Sequence, residues 1–332
     1  MKTILITGGC GFIGHHMIEH FLKNTNWNII VFDKLTYASS GYDRVRDINA
    51  FDNKRVSLFS VEMAREISEG ILKETQKQIN YILHMGAETH VDNSIVDPEP
   101  FVMSNVIGTM HILNYARKLD NLEAFIYFST DEVFGPAPKG VEYKEWDRYN
   151  STNPYSATKA GGEELTLSYM NTYQIPGFIT HTMNVFGERQ HPEKFIPMTV
   201  KNILQGKTVY IHSNKEKTES GTRFYIHARN VADAAYFLLT KFQQREKYNI
   251  VGSKEVSNYE LAKMIADILH QELKYEFVDF HSSRPGHDLR YALDGTKMKE
   301  LGWEPTVNFE ESLDKTINWI KTRNFWGDLY ID

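Results

Sequence analysis

Gly8-Gly9-Cys10-Gly11-Phe12-Ile13-Gly14 is the stretch on which the fold turns. Before it, residues 2–7 (Lys-Thr-Ile-Leu-Ile-Thr) form a short buried strand, and after it a helical pattern runs over residues 15–23. In that order the glycines permit a tight turn and let a pyrophosphate approach the backbone. The helix N-terminus then offers N–H donors and the positive end of its dipole. A second strand, residues 27–32, ends in Asp33, about 20 residues past the loop, where a carboxylate accepts hydrogen bonds from an adenosine ribose and repels a 2′-phosphate. The pattern predicts a Rossmann-type, doubly wound parallel sheet of the α/β class. It takes NAD rather than NADP, with Gly8, Gly11, Phe12, Ile13, Gly14 and Asp33 against the cofactor.

Composition narrows the field. The 332 residues are 41% hydrophobic and 24% charged, enough for one large domain and a smaller one. A net charge of -6 argues against a nucleic-acid partner. One cysteine, Cys10, excludes an internal disulfide and suits a reducing compartment, so the expected location is cytoplasmic. No apolar run is long enough for a membrane span, and no signal peptide precedes the first strand. His16 and His20 have the i, i+4 spacing of helical ligands, but no third ligand is in view. An exposed helix face and no metal are expected.

Further along, residues 56–61 form a third strand ending at Glu62, a carboxylate that either meets an adenine amine or lies in solvent. Residues 81–84 form a fourth, followed by a polar, ligand-facing run over residues 85–94. A helix over residues 100–119 carries Asn105, read either as an exposed residue or as one that orients a catalytic lysine through water. The apolar Ile126-Tyr127-Phe128 leads into Ser129-Thr130-Asp131-Glu132, which places three polar side chains beyond the carboxyl end of a strand, where open α/β sheets hold their ligands. Asn153-Pro154 starts a helix over residues 155–173, and Tyr155 and Lys159 share one of its faces. An ammonium beside a phenol pulls the phenol pKa from about 10 toward neutrality, which suits Tyr155 to acid/base work in oxidising a hydroxyl.

Residues 135–151 are a long polar loop, either a lid or filler. After a strand over residues 177–182 the alternation of strands and helices loosens. We therefore assign residues 1–180 and about 223–250 to the NAD-binding domain. Residues 181–222 and 251–332 form a smaller α/β domain, closed by helices over residues 261–269 and 309–320. Asn184, Lys194, Arg223 and Arg284 there are natural partners for the diphosphate of a sugar nucleotide.

The glycine loop, Asp33-Lys34-Leu35-Thr36-Tyr37-Ala38, Ala87-Glu88-Thr89-His90-Val91-Asp92, Ser129-Thr130-Asp131-Glu132-Val133-Phe134-Gly135, Asn153-Pro154-Tyr155-Ser156-Ala157-Thr158-Lys159-Ala160, Pro192-Glu193-Lys194-Phe195-Ile196-Pro197 and Arg284-Pro285-Gly286-His287-Asp288 together resemble the nucleotide-sugar 4,6-dehydratases. These are extended short-chain dehydrogenases/reductases, and the dTDP-glucose type is the nearest. The resemblance implies that Tyr155 takes the proton of the sugar 4-hydroxyl, Thr130 hydrogen-bonds the same oxygen and Lys159 supports Tyr155. Glu132 removes the C5 proton and Asp131 protonates the departing 6-hydroxyl. It also implies cofactor contacts at Lys34, Thr36, Glu62, Met63 and Ala87. Substrate contacts are implied at Asp92, Ser94, Asn184, Glu193, Lys194, Arg223, Arg284 and His287.

The family pattern changes at Cys10, at Glu62-Met63, at Val209-Tyr210-Ile211-His212-Ser213 with the longer loop over residues 214–222, and at Arg223-Phe224-Tyr225. These positions bear on the base: dTDP-glucose is favoured narrowly over UDP-glucose and UDP-N-acetylglucosamine. The implied setting is deoxysugar biosynthesis of the rhamnose kind, in a homodimer packed through helices near residues 100–118 and 155–173. A nucleotide-sugar 4-epimerase on the same scaffold, or a non-catalytic NAD-binding protein, are the other readings.

Overall fold

The computed structural model describes residues 1–279 and 289–322, so Arg284 and His287 lie outside the described residues. Six strands, β1 (Thr3–Thr7), β2 (Asn28–Asp33), β3 (Val56–Ser60), β4 (Tyr81–His84), β5 (Ala124–Thr130) and β6 (Gly177–Thr182), join a seventh, Lys247–Ile250, in one sheet. Its order is Lys247–Ile250, β6, β5, β4, β1, β2, β3, parallel throughout. This is the doubly wound sheet expected from the glycine loop.

Burial on both faces explains why these strands read as continuous apolar runs. Ile4, Ile6, Ile29, Val31, Leu83, Ile126 and Phe178 pack under the helices Phe12–Asn24 and Ala228–Lys241. The alternate residues Leu5, Ile30, Phe32, Ile82, Phe125, Tyr127 and Ile179 pack under Gly108–Ala116 and Pro154–Thr172. Each fully buried aliphatic or aromatic side chain contributes about 2 kcal/mol. The winding reverses between β1 and β4, which opens a crevice at their carboxyl ends. A second core gathers Phe186, Val200, Ile211, Leu261, Ile265, Leu313 and Ile317, from the helices Phe195–Leu204, Asn258–Leu269 and Phe309–Thr322 and the short strands beside them. Arg223 sits in one of those strands, Thr222–Phe224, paired with Glu255–Ser257.

Several local expectations are corrected. The helix over residues 100–119 is Glu99–Val102 and Gly108–Ala116 joined by a π-helical turn, Met103–Ile107. His16 is not on an exposed face: it is buried, and its Nε2 meets the Glu188 carbonyl at 3.2 Å. The face of Phe12–Asn24 that holds it is covered by the helix Ala228–Lys241, whose N-cap His227 stacks edge-on against it. The loop over residues 135–151 is pinned to its surroundings at several points. The Tyr143 N–H bonds the Ala292 carbonyl, its ring stacks on Phe134, and Arg290 donates to the carbonyls of Pro138 and Val141. Among the described residues no helix is long and apolar enough to cross a membrane.

Candidate active site

The glycine turn forms a cradle that side chains would fill. Gly8 has φ +70°, and its N–H closes onto the Phe32 carbonyl at 2.8 Å. A Cβ on Gly14 would sit 2.2 Å from the Gly8 carbonyl oxygen. Gly11 starts the helix Phe12–Asn24 with no side-chain cap, so the first amides remain for an anion. Asp33 is buried at the end of β2. Its two oxygens accept from the Cys10 N–H (2.9 Å) and the Leu35 N–H (2.8 Å), and desolvation raises its pKa. Each oxygen keeps a second lone pair for a ribose hydroxyl. Phe12, Ile13, Lys34, Thr36 and Ala87 are half-buried around this crevice; Glu62 is exposed, its Oε1 accepting from the Ala64 N–H. Met63 is buried against Gly86, where a Cβ would lie 2.2 Å from its methyl group. The residue set and the cradle fit a dinucleotide.

Lys34 Nζ reaches Glu88 at 2.8 Å, tying the loop after β2 to the loop after β4. Glu88 is held in turn by Asn105, which accepts from its N–H (2.8 Å) and donates to its carbonyl (3.0 Å) and to Thr158 Oγ1 (3.0 Å). Asn105 is 1% exposed, so the exposed reading is wrong. The π turn swings it inward, as such turns do at functional sites, and what it holds is the Glu88 loop and the Tyr155 helix.

The acid/base residues converge at the end of β5. The Thr130 hydroxyl donates to Asp131 Oδ1 at 3.0 Å, and the Glu132 N–H closes a 3-10 turn onto Thr130 Oγ1. Asp131 is buried, and its Oδ2 has no hydrogen-bond partner among the described residues. Burial pushes its carboxyl up to about 6 against the pull of Arg223 and of the Thr130 hydrogen bond. Asn153 caps the helix Pro154–Thr172 in a capping box with Ser156, and its Nδ2 donates to Glu132 Oε2 at 3.1 Å. One residue thus starts the helix and aims a carboxylate. The Tyr155 backbone N–H is fixed on Ser94 Oγ at 3.2 Å, and its ring packs with Val91 and Phe101.

The expected lowering of the Tyr155 pKa is not what the structure shows. Burial, then the Glu132 carboxylate, drive it upward, with Asp131 adding to them and the neighbouring Thr130 side chain opposing. Lys159 Nζ donates to the Phe128 carbonyl at 2.6 Å and lies 4.3 Å from the Tyr127 ring centroid. Burial lowers its own pKa to about 7, and Glu163 acts in opposition.

From the other side come the expected sugar-nucleotide contacts. Ser94 is buried and Asp92 half-buried in the short helix Val91–Val96. Glu193 approaches His90 (3.6 Å) and Lys194 (3.7 Å), and Asn184 is exposed. Arg223 stacks over Tyr291 at 4.6 Å and is close enough to act on Asp131. Sequence reasoning missed Arg44, which is 1% exposed and donates to the carbonyls of Arg189 (2.9 Å) and Ala38 (2.7 Å). It also missed the chain His84–Thr7–Gly86, in which Thr7 Oγ1 meets His84 Nδ1 at 2.9 Å and accepts from the Gly86 N–H at 2.9 Å.

Sheet, glycine cradle and the Tyr155–Lys159 helix define an extended short-chain dehydrogenase/reductase. Over residues 5–316 the chain matches the family described as GDP-mannose 4,6 dehydratase, and it belongs to that family. It is 34% identical to a dTDP-glucose 4,6-dehydratase of Escherichia coli, over 97% of this chain and 94% of that one. It is 37% identical to a low-salt glycan biosynthesis protein of Haloferax volcanii, over 95% and 97%. A crystal structure of the dTDP-glucose 4,6-dehydratase of Streptomyces venezuelae with NAD bound superposes with TM-score 0.88 at 32% identity, covering 99% of this chain and 100% of that one. A Thermus thermophilus UDP-glucose 4-epimerase in complex with NAD gives 0.85 at 25%, over 97% and 99%.

Proposed function

We propose that the protein is a NAD-dependent nucleotide-sugar 4,6-dehydratase acting on dTDP-glucose. The observation that carries the reading is Asp131: a buried carboxyl with a pKa raised to about 6 and an unpartnered Oδ2, beside a second carboxylate steered by Asn153. Neighbouring carboxyls in different environments divide acid from base. NAD, when bound in the glycine cradle, supplies the acceptor and later the donor of one hydride. Tyr155 takes the proton of the 4-hydroxyl, with Thr130 bonded to the same oxygen. The 4-ketone acidifies C5, Glu132 removes its proton, and Asp131 protonates the 6-hydroxyl so that water leaves. The cycle is redox-neutral, so the cofactor stays with the protein.

Asp33, Lys34, Thr36, Met63 and Ala87 line the cofactor crevice in this reading, with Glu62 toward the adenine. Asn184 and Lys194 meet the substrate phosphates and Arg223 its nucleotide, with Asp92, Ser94 and Glu193 as further substrate contacts. The second core serves as the nucleotide-sugar half. The dTDP choice rests on the names of the relatives. A cytoplasmic homodimer completes the reading, supported by the exposed Val102 and Met103 on the helical face near the Pro154–Thr172 helix.

The test is a panel of dTDP-glucose, UDP-glucose, CDP-glucose and UDP-N-acetylglucosamine, with products read by mass spectrometry. Loss of one water from dTDP-glucose is expected. Loss from a different member would reassign the base, and an isomer without water loss would make the protein an epimerase.

A further inference from the structure

The helix Pro154–Thr172 buries a second charge that the chemistry above does not use. Glu163 stands one turn beyond Lys159 and two beyond Tyr155, on the same buried face, with its side chain fully buried. Lys247 Nζ, on the edge strand, reaches Glu163 Oε1 at 2.8 Å, and His181 Nε2, on β6, reaches Oε2 at 3.2 Å. The Tyr149 hydroxyl donates to Oε1 and accepts from Lys247 Nζ. His181 Nδ1 is held by Asn249 Oδ1 at 2.9 Å. Gly162 is what lets the helix come this close, since a Cβ there would lie 2.4 Å from the Tyr127 hydroxyl.

Such an array is expensive to bury and is not needed to attach a helix, because well-packed apolar residues would serve as well or better. We propose that Glu163, clamped by Lys247, His181 and Tyr149, is a positioning residue that acts through Lys159. Its carboxylate supplies the negative charge that keeps the lysine Nζ, hydrogen-bonded to the Phe128 carbonyl, an ammonium. This rests on the dehydratase reading, in which Tyr155 and Lys159 serve the oxidation of C4.

The charges around the pair support the assignment. Facing Lys159 are the Tyr127 ring on β5, His84 on β4, and Tyr155 and Glu163 on its own helix. Facing Glu163 are His181, Lys247 and Tyr149, with Glu164 beyond Tyr149. Burial pushes Lys159 toward the neutral amine, and Glu163 is the carboxylate that resists it. Burial also works against the Glu163 charge, but His181 and Lys247 outweigh it and pull its pKa down to about 2. It therefore stays negative throughout the working range.

The experiment isolates C4 oxidation. In an Asp131→Asn background, loss of water is slowed and the general acid no longer titrates, so the rate of reduced-nicotinamide absorbance against pH reports on Tyr155 and Lys159. The first control is wild-type turnover of dTDP-glucose; if no water is lost, the dehydratase reading fails, whatever Glu163 does. With that secured, Glu163→Gln is expected to move the alkaline limb down by about one pH unit with KM unchanged, and Glu163→Asp to restore most of it. Lys247→Met, which leaves the buried Glu163 carboxylate without its lysine and so lets burial raise its pKa, is expected to move the limb down as well. Limbs that stay in place while only the melting temperature falls would reduce Glu163 to a structural residue and overturn the proposal. Should Glu163→Gln fail to fold, the direction of the Lys247→Met shift decides: downward sustains the proposal, unmoved or upward overturns it.

Discussion

At the residue scale, Asp131 is a group whose burial carries a cost. Its folded carboxyl has a pKa of about 6, above the ordinary 3.8, so the folded protein holds that proton more tightly than the unfolded chain. The sign follows: this group's contribution is fully present below about pH 4 and is lost as pH rises through about 6. At neutral pH the charged form therefore weakens the fold by roughly 3 kcal/mol. Asp131→Asn should melt at a higher temperature than wild type at pH 7.5 or so and at the same temperature near pH 4, while product formation falls by about 10² to 10⁴. Thermal melts at the two pH values, with product assays, check this; a variant less stable at neutral pH would mean the carboxylate is better paired than Oδ2 indicates. The cost is that of keeping an acid ready to protonate a leaving group.

At the element scale, the π turn Met103–Ile107 exists to turn Asn105 inward. Asn105→Ala would take the side-chain partner from the Glu88 N–H and carbonyl and one of two hydrogen bonds from Thr158 Oγ1, which still donates to the Tyr155 carbonyl, at about 3 kcal/mol in total. Calorimetric unfolding and the NAD content of the purified variant should both fall; unchanged cofactor content would detach the turn from the cofactor loop. This is also where sequence reading reaches its end. Gly8 to Asp33, the Thr130-Asp131-Glu132 end of β5 and the Asn153–Lys159 helix start were legible, because each is local chemistry at fixed offsets. Asn105 was not, since its partner lies 17 positions back and a helical period does not register a π turn. Asn153 was legible as a cap but not as the donor to Glu132, 21 positions away. Arg44 carried no signal at all, because its burial is satisfied by carbonyl groups that every residue possesses. The Tyr155–Lys159 spacing was legible, but the rise of the Tyr155 pKa was not, because it comes from burial and from Glu132, which the helical spacing does not register.

At the scale of the whole molecule, the cofactor crevice is bridged by one ion pair between loops of different strands, Lys34 with Glu88, each about a quarter exposed or less. Such a pair is worth up to about 1 kcal/mol and is screened by salt. Glu88→Gln should release bound NAD about threefold faster in a chase experiment, with turnover unchanged at saturating NAD. Raising salt should speed release from wild type and leave the variant insensitive. Equal salt sensitivity in both would show that the pair does not retain the cofactor.

The edge strand has a consequence for how the chain is made. Lys247–Ile250 docks on β6 with Lys247 opposite Ile179, and Lys247 is the partner that lies 2.8 Å from Glu163. A ribosome delivers the strands β1 to β6 and the whole Tyr155 helix well before it delivers Lys247. Until then Glu163 is a buried carboxylate missing its lysine, and β6 presents a bare edge on which other chains can add. The nascent nucleotide-binding half thus has its glycine loop before its catalytic helix has the lysine partner of Glu163. A chain truncated near residue 240 should aggregate rather than persist as a soluble half-enzyme, so the cell is spared a fragment able to hold NAD but not to turn it over.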